Sequence, residues 1–183
     1  MSSILPGSVQ FRILKGSRET VIELDRFTRA QDGTHDGFET AFSELTAGRK
    51  RSHWIWYIFP QLEGLGQSSM AVHYGLRGAA EATAYLRDAV LRDRLLRLTA
   101  IVAAHLQRTP APALDTLMGS EIDALKLVSS MTLFKEIAHR LSQVEPLPDL
   151  SDLETQAGAI LRAAAAQGYP PCAATLQYLD RHR

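Results

Sequence analysis

The chain of 183 residues has a single cysteine, no excess of either charge and no long hydrophobic run. With Cys172 alone, no intrachain disulfide can form, which favours a cytosolic protein. Basic and acidic residues number twenty each, whereas a protein that binds duplex DNA needs a marked basic excess. No apolar run is long enough to cross a bilayer, and the N-terminus lacks the pattern of a signal peptide. We therefore expect a cytoplasmic protein that binds neither membrane nor duplex DNA, and the sequence leaves its oligomeric state open.

Sequence motifs that would identify a common chemistry are also missing. None of the six histidines has the spacing of a zinc-binding motif, so neither a metal nor another cofactor is expected. The GLG segment at 64–66 lacks the spacing of a dinucleotide-binding or Walker loop. No G-x-S-x-G nucleophile elbow occurs. Cys172 follows two prolines with no histidine nearby, which favours a packing role over a nucleophile.

The hydrophobic pattern predicts helices through most of the chain. Hydrophobic residues make up 45% and charged residues 22%, as in ordinary globular proteins. Residues 1–20 are expected to form a poorly defined arm with one β-like run, VQFRILK, which has no obvious partner strand. From residue 21 onward apolar residues recur at helical spacing, most clearly over 89–107. The expected fold is all-α, a compact bundle of short to medium helices in one domain (21–183), behind a short irregular or β-like arm.

Local signals predict where several of these helices begin and end. The segment HWIWYIF, 53–59, is interpreted as a buried helical turn or two before Pro60, and LEGLGQSS, 62–69, as a loop. Gly48 is a natural helix stop. Capping residues followed by an acidic residue mark helix starts. Four starts are expected, at Asp36 (with Glu39), Asp88, Ser120 (with Asp123) and Ser151 (with Glu154).

The stretch RKRSHWIWYIFPQ, residues 49–61, contains the main candidate binding residues. Its three cations, Lys50 among them, could bind an anion together with the backbone N–H groups of a following helix start. His53 could act as an acid or base near neutral pH. The competing interpretation is a solvated basic turn with His53 entering the core, and spacing alone favours that interpretation.

The aromatic part of this stretch admits both packing and binding. Aromatic rings stack on other rings, but core packing is the stronger interpretation for at least two of the four aromatics. A helix would turn Trp54 and Tyr57 to one side and Trp56 to another, so that one face could be core while the other lines a cleft. Gln61 follows in a loop, where functional residues are common.

A second group of polar residues lies near the centre of the chain. Lys126, Ser129 and Ser130 share one helical face at i, i+3 and i+4. A partly buried lysine beside hydroxyls could hold a phosphate or deprotonate a serine. Alternatively, Lys126 pairs with Asp123 and the serines bond back to helix carbonyls. The order is the reverse of the S-x-x-K nucleophile signature, which therefore does not apply.

Taken in order, these blocks resemble domain-of-unknown-function family 1810, which is mostly bacterial. The resemblance rests on LTAGRKRSHWIWYIFPQLEGLG, the Tyr74-Gly75 pair, EATAYL and DALKLVSSMTLF, and runs from about Leu24 to Leu141. It implies a small all-α fold but no reaction. Some relatives are labelled calpastatin, whose inhibitory segments are disordered and proline-rich, and this chain is neither. The implied shared residues are Lys50, His53, Trp54, Trp56, Phe59, Pro60, Gln61, Tyr74, Gly75, Lys126, Ser129, Ser130 and Met131.

The leading hypothesis is a helical domain with one polar-lined pocket for a small anionic ligand, a nucleotide or phosphorylated metabolite, on which it could act. His53 and Lys126 are the catalytic candidates, and the hypothesis requires both to converge with Gln61 on one cleft. One alternative is an interaction or structural module, and another a single-strand nucleic-acid binder that uses Arg49 and Arg51. The expected ligand-binding residues are Lys50, Trp54, Trp56, Gln61, Tyr74, Ser129 and Ser130.

Overall fold

The structure, a computed structural model, describes the backbone of residues 11–13 and 20–182, and side chains from residue 23 onward. The strands are β1 (Phe11–Ile13) and β2 (Thr20–Ile22). The helices are α1 (Asp25–Gln31), α2 (Phe38–Thr46), α3 (Ile55–Ile58), α4 (Ser69–His73), α5 (Ala79–Arg87), α6 (Ala89–Leu106), α7 (Leu114–Met118), α8 (Glu121–Ser142), α9 (Leu150–Ala166) and α10 (Ala173–Arg181). The predicted all-α fold with a β-like arm is confirmed. No helix within the described ranges is long and apolar enough to cross a membrane.

The β-like run has a partner strand, which the sequence analysis did not find. β1 pairs antiparallel with β2, and Arg12 stands opposite Val21. The prediction of helix from residue 21 was therefore wrong, because β-branched residues at 20–22 favour an extended backbone, and helix begins only at Asp25. The remainder of the predicted arm, at 1–10 and 14–19, lies outside the described residues.

Helix α8 lies at the centre of the bundle. It packs against α3, α5, α7, α9 and α10. Its buried apolar residues join one hydrophobic cluster whose buried members extend from Leu24 to Leu179. The predicted stripe on α6 is part of this cluster, with Leu91, Leu95 and Leu98 all buried. Because α8 contacts both α3 and α7, residues in its first turns lie close to the 49–61 stretch.

The short helix α3 is held by hydrogen bonds to the N-terminal part of the chain. The Gln31 side chain on α1 donates to the Tyr57 carbonyl at 2.7 Å, and the Tyr57 hydroxyl donates to the Asp36 carbonyl at 2.9 Å. Helix α3 ends just before Phe59 and Pro60, as predicted. These contacts fix which faces of the aromatic block turn inward.

Two of the predicted helix starts are confirmed. The Asp88 carboxylate accepts the N–H groups of Val90 and Leu91, and the Ser120 hydroxyl accepts that of Asp123. The stop at Gly48 also holds, because α2 ends at Thr46 and Gly48 takes a positive φ of 81°.

The other two predicted starts were wrong. Helix α2 is preceded by Gly37 without a side-chain cap, and a Cβ on Gly37 would lie 2.0 Å from the Gly33 carbonyl oxygen. This close approach leaves no room for a side chain at Gly37. The residue that precedes the helix is therefore Gly37, one position after the predicted Asp36. Helix α9 begins at Leu150, which is buried, and Ser151 already lies inside the helix and is exposed. The sequence analysis also missed α4, although Ser68 caps it by accepting the Ala71 N–H.

Asp88 caps a helix and Ser151 does not, so replacing each with alanine should have different effects on stability. Asp88→Ala should lower the free energy of unfolding by about 1 kcal/mol, because two N–H groups of α6 lose their acceptor. Ser151→Ala should change it by less than about 0.5 kcal/mol, because this exposed serine caps nothing. Urea unfolding followed by circular dichroism measures both, and equal losses would contradict the observed start of α9.

Candidate functional site

The turn before α3 is organised by one carboxylate, Glu44 of α2. It accepts the backbone N–H groups of Arg51 at 2.8 Å and Ser52 at 3.1 Å, the Ser52 hydroxyl, and Nε1 of Trp54 at 2.8 Å. Burial acts to raise the pKa of Glu44, but these hydrogen bonds outweigh it and the pKa is lowered. Trp54 is fully buried. The start of the aromatic block is therefore packed and hydrogen-bonded within the protein.

A second carboxylate, Asp123 of α8, joins the two lysines of the predicted site. Lys50 Nζ lies 2.6 Å from one of its oxygens and Lys126 Nζ lies 2.9 Å from the other. Burial acts to raise the pKa of Asp123, but hydrogen bonds from both lysines outweigh it, so the pKa is lowered. The Lys50 side chain is only 6% exposed. The basic run is therefore divided, because Lys50 points inward while Arg49 and Arg51 are exposed.

The backbone fixes Lys50 in this inward position. Its N–H donates to the Leu117 carbonyl at 2.8 Å, and its ammonium also donates to the Ser52 carbonyl at 2.6 Å. Gly119, between α7 and α8, has a positive φ of 79°, and a Cβ there would lie 2.7 Å from the Lys50 carbonyl oxygen. A side chain at Gly119 would separate these segments, so the turn into α8 requires glycine.

Next to this ion-pair group lies a small cleft between α3, the 61–75 segment and α8. Its volume of about 10 Å³ is room for one water molecule. The Lys126 ammonium lies 4.6 Å from the centroid of a Trp56 ring. The backbone of the 61–75 segment is tied by Leu76, whose N–H donates to the Gln61 carbonyl at 2.9 Å. The cleft is lined by Trp56, Phe59, Gln61, Ala71, Tyr74, Gly75 and Lys126.

Several polar groups at the cleft have no hydrogen-bond partner among the described residues. Nε1 of Trp56 is buried and makes no hydrogen bond to any described residue. Within the same part of the chain, the Gln61 amide and the Tyr74 hydroxyl also make none. Burial raises the pKa of the Tyr74 hydroxyl, although Arg26 opposes that shift, so the hydroxyl keeps its proton at neutral pH. All three side chains line the cleft beside Lys126, and none of the three groups is satisfied by a described residue.

The structure brings together four predicted residues, Trp56, Gln61, Tyr74 and Lys126, and joins Lys50 to them through Asp123. Two serines lie elsewhere: the Ser129 hydroxyl donates back to the Leu125 carbonyl at 3.0 Å, and Ser130 is fully buried. His53 is exposed and does not line the cleft, so the required convergence of His53 with Gln61 and Lys126 does not occur. Trp54 lies in the core.

Sequence reasoning did not identify Asp123 as the bridge between the two lysines. Its pairing with Lys126, one turn away on the same helix, was visible as an alternative. Its contact with Lys50 was not, because 73 positions separate the two residues and only the packing of α8 beside the 49–54 turn brings them together.

Larger cavities occur at the other end of α8. One of 360 Å³ lies between α8 and α10, and one of 340 Å³ lies between α8, α9 and the start of α10. None of the predicted site residues lines either. Within the described part of the chain, no group of three or more His, Cys, Asp or Glu side chains could hold a metal ion.

The fold and the site together define a small helical protein with a donor-rich cleft beside a partly buried lysine–aspartate–lysine group. The chain belongs to the family described as "Protein of unknown function (DUF1810)", whose model matches residues 21–147, so the resemblance found in the sequence is confirmed. It is also similar to the conserved hypothetical protein Rv1873 from Mycobacterium tuberculosis, whose crystal structure at 1.38 Å is 36% identical. That alignment covers 80% of this chain and 97% of the other, with a TM-score of 0.59. None of the curated proteins compared with the chain matches it.

Proposed function

We propose that this protein binds a small anionic molecule, a nucleotide or phosphorylated metabolite, whose anionic group enters the cleft. The observation that carries the proposal is the buried Nε1 of Trp56, which has no acceptor among the described residues. A buried donor without a partner costs about 1–3 kcal/mol, and native proteins contain few of them. An oxygen of a bound ligand would satisfy it.

The charge and donor set support an anion. Lys50 and Lys126 share the single carboxylate of Asp123, which leaves one positive charge in excess. The Lys126 ammonium, the Trp56 indole and the Tyr74 hydroxyl all donate hydrogen bonds, and phosphate or carboxylate oxygens are pure acceptors when ionised. None of the residues that line the cleft is acidic.

The size of the cleft limits what enters it. A volume of about 10 Å³ accepts one oxygen of the anionic group and leaves the remainder of the ligand across the mouth. Lys126 is the one predicted catalytic residue that lines the cleft, and His53 lies outside it. The proposal is therefore a binding function, and we assign no proton transfer to His53.

The two tryptophans provide an internal control for the test. Each gives one indole ¹H–¹⁵N signal, and these are assigned with Trp54→Phe and Trp56→Phe variants. Titration with inorganic phosphate and with adenosine 5′-monophosphate should shift the Trp56 signal, because its N–H gains an acceptor. The Trp54 signal should stay in place, because its N–H is already bound to Glu44.

Two variants test whether the shift of the Trp56 signal arises from binding in the cleft. Lys126→Met should weaken binding about tenfold or more, since a charged hydrogen bond is lost. Arg108→Met removes an exposed cation whose side chain makes no hydrogen bond or ion pair with any described residue, and should leave binding unchanged. If neither probe shifts the Trp56 signal at low salt, or if both indole signals shift together, the proposal fails and an interaction module becomes the better explanation.

A further inference from the structure

A second cleft lies between α8, α9 and the start of α10, away from the one just described. Its volume is 340 Å³, within the usual range of small-molecule sites. Its walls are mainly apolar, and they include Leu176, a large aliphatic side chain that is 48% exposed. Helices α9 and α10 lie beyond the range that the family model matches. The lining residues are Thr132, Lys135, Glu136, Gly158, Leu161, Arg162, Ala165, Pro171 and Leu176.

Two cations meet at the floor of this cleft. A Cβ on Gly158 would lie 3.4 Å from Nη1 of Arg162 and 3.6 Å from Cε of Lys135, so both side chains reach the same helix position. Neither cation forms an ion pair or a hydrogen bond with any residue from 23 to 182. Glu136 also lines the cleft, but its carboxylate accepts from Nε of Arg140 at 2.8 Å. Lys135 is near enough to Glu136 to help lower the pKa of that carboxyl, after the larger effect of Arg140. Neither Lys135 nor Arg162 is held in an ion pair, however, so both can meet an anion beside apolar walls.

Gly158 is itself unusual, because it lies buried inside the 17-residue helix α9. Glycine is a poor helix former, and the backbone here does not need its conformational freedom, since its φ is not positive. A Cβ at Gly158 would already touch both cationic side chains, so the missing side chain lets Lys135 and Arg162 pack directly over the backbone of α9. The two cations therefore meet at one point of the cleft.

We propose that this cleft binds a small amphipathic carboxylate. The carboxylate lies between Lys135 and Arg162, and the apolar part of the molecule lies against Leu161, Pro171 and Leu176. The charge pattern selects an anion, because the one acidic side chain in the lining is held by Arg140. The apolar walls select a ligand with a hydrophobic tail over a bare anion. This site is separate from the cleft at Trp56 and shares no residue with it.

Calorimetric titration with three simple probes tests the proposal. Octanoate has both the carboxylate and the tail, acetate has only the charge, and octylammonium has the tail with the opposite charge. We expect one octanoate per chain, with the other two probes binding at least about tenfold more weakly. Octylammonium binding as tightly as octanoate, or many octanoates per chain, would show non-specific apolar adsorption and overturn the proposal.

Variants locate the binding. The double variant Lys135→Met/Arg162→Met should weaken octanoate binding about tenfold or more while keeping most of the apolar wall. Ala165→Phe should block the cleft, since Ala165 is exposed and its larger side chain projects into open space. Arg108→Met removes a cation elsewhere and serves as the charge control. Unchanged affinity in both the double variant and Ala165→Phe would place the ligand elsewhere and refute the site.

Discussion

Asp123→Asn is expected to lower the free energy of unfolding by about 3 kcal/mol. The substitution removes the negative charge between two ammonium groups, and one of these, on Lys50, is 6% exposed. A buried charge that loses its partner retains its desolvation cost without compensation. Urea unfolding at neutral pH measures the effect. The matched control is Asp93→Asn, because Asp93 is 62% exposed and its ion pair with Arg97 at 3.7 Å is a surface contact, expected to contribute less than about 0.5 kcal/mol.

The pH dependence gives an independent check on the same carboxylate. The pKa of Asp123 is lowered in the folded protein, so its ionised form stabilises the fold. This contribution is fully present above the ordinary aspartate pKa of about 3.9 and is lost as the pH falls through the lowered value. The difference between wild type and Asp123→Asn should therefore be largest near pH 7 and shrink below about pH 4. A difference that stays constant with pH, or one no larger than that of Asp93→Asn, would contradict the ion-pair account.

Truncation of the two tryptophans should destabilise the protein to different extents. Trp54→Ala should lower the free energy of unfolding by about 4 kcal/mol, because the fully buried ring leaves a cavity and Glu44 loses one of its donors. Trp56→Ala should lower it by only about 2 kcal/mol, because that ring is partly exposed and its N–H has no acceptor to lose among the described residues.

Phosphate binding should show the reverse order when each tryptophan is replaced by phenylalanine. Trp56→Phe should abolish the response to phosphate, because the proposed N–H donor is lost. Trp54→Phe should retain it, because the Trp54 donor is directed to Glu44 and not to the cleft. Calorimetry with phosphate measures both variants without the indole signals. Retained binding in Trp56→Phe together with loss in Trp54→Phe would place the anion at the Glu44 turn and refute the proposed cleft.

Part of this site could be predicted from the sequence, because helical spacing depends only on residues close together along the chain. Helical spacing correctly separated Trp54 and Tyr57 from Trp56, and Trp56 is the one of the three that lines the cleft. The same spacing placed Ser129 and Ser130 on the face of Lys126. Their hydroxyls do not reach the cleft, however, because the Ser129 hydroxyl bonds back to a helix carbonyl and Ser130 is in the core. Residues that share a helical face need not direct their hydroxyl groups to the same site, because a short side chain can donate to a carbonyl of its own helix.

By itself the sequence determined the helical class, the caps at Asp88 and Ser120 and the stop at Gly48, because each depends on residues close together along the chain. It also determined the membership of the family, because the order of several motifs identifies it without any knowledge of their packing. Only the tertiary structure decided that Lys50 turns inward to Asp123, that His53 stays on the surface, and that Trp56 keeps an unpaired donor beside Gln61 and Tyr74. These outcomes depend on how α8 packs against α3 and α7. That packing is set by apolar surface buried across the whole chain, so it cannot be predicted from the residue types at the site alone.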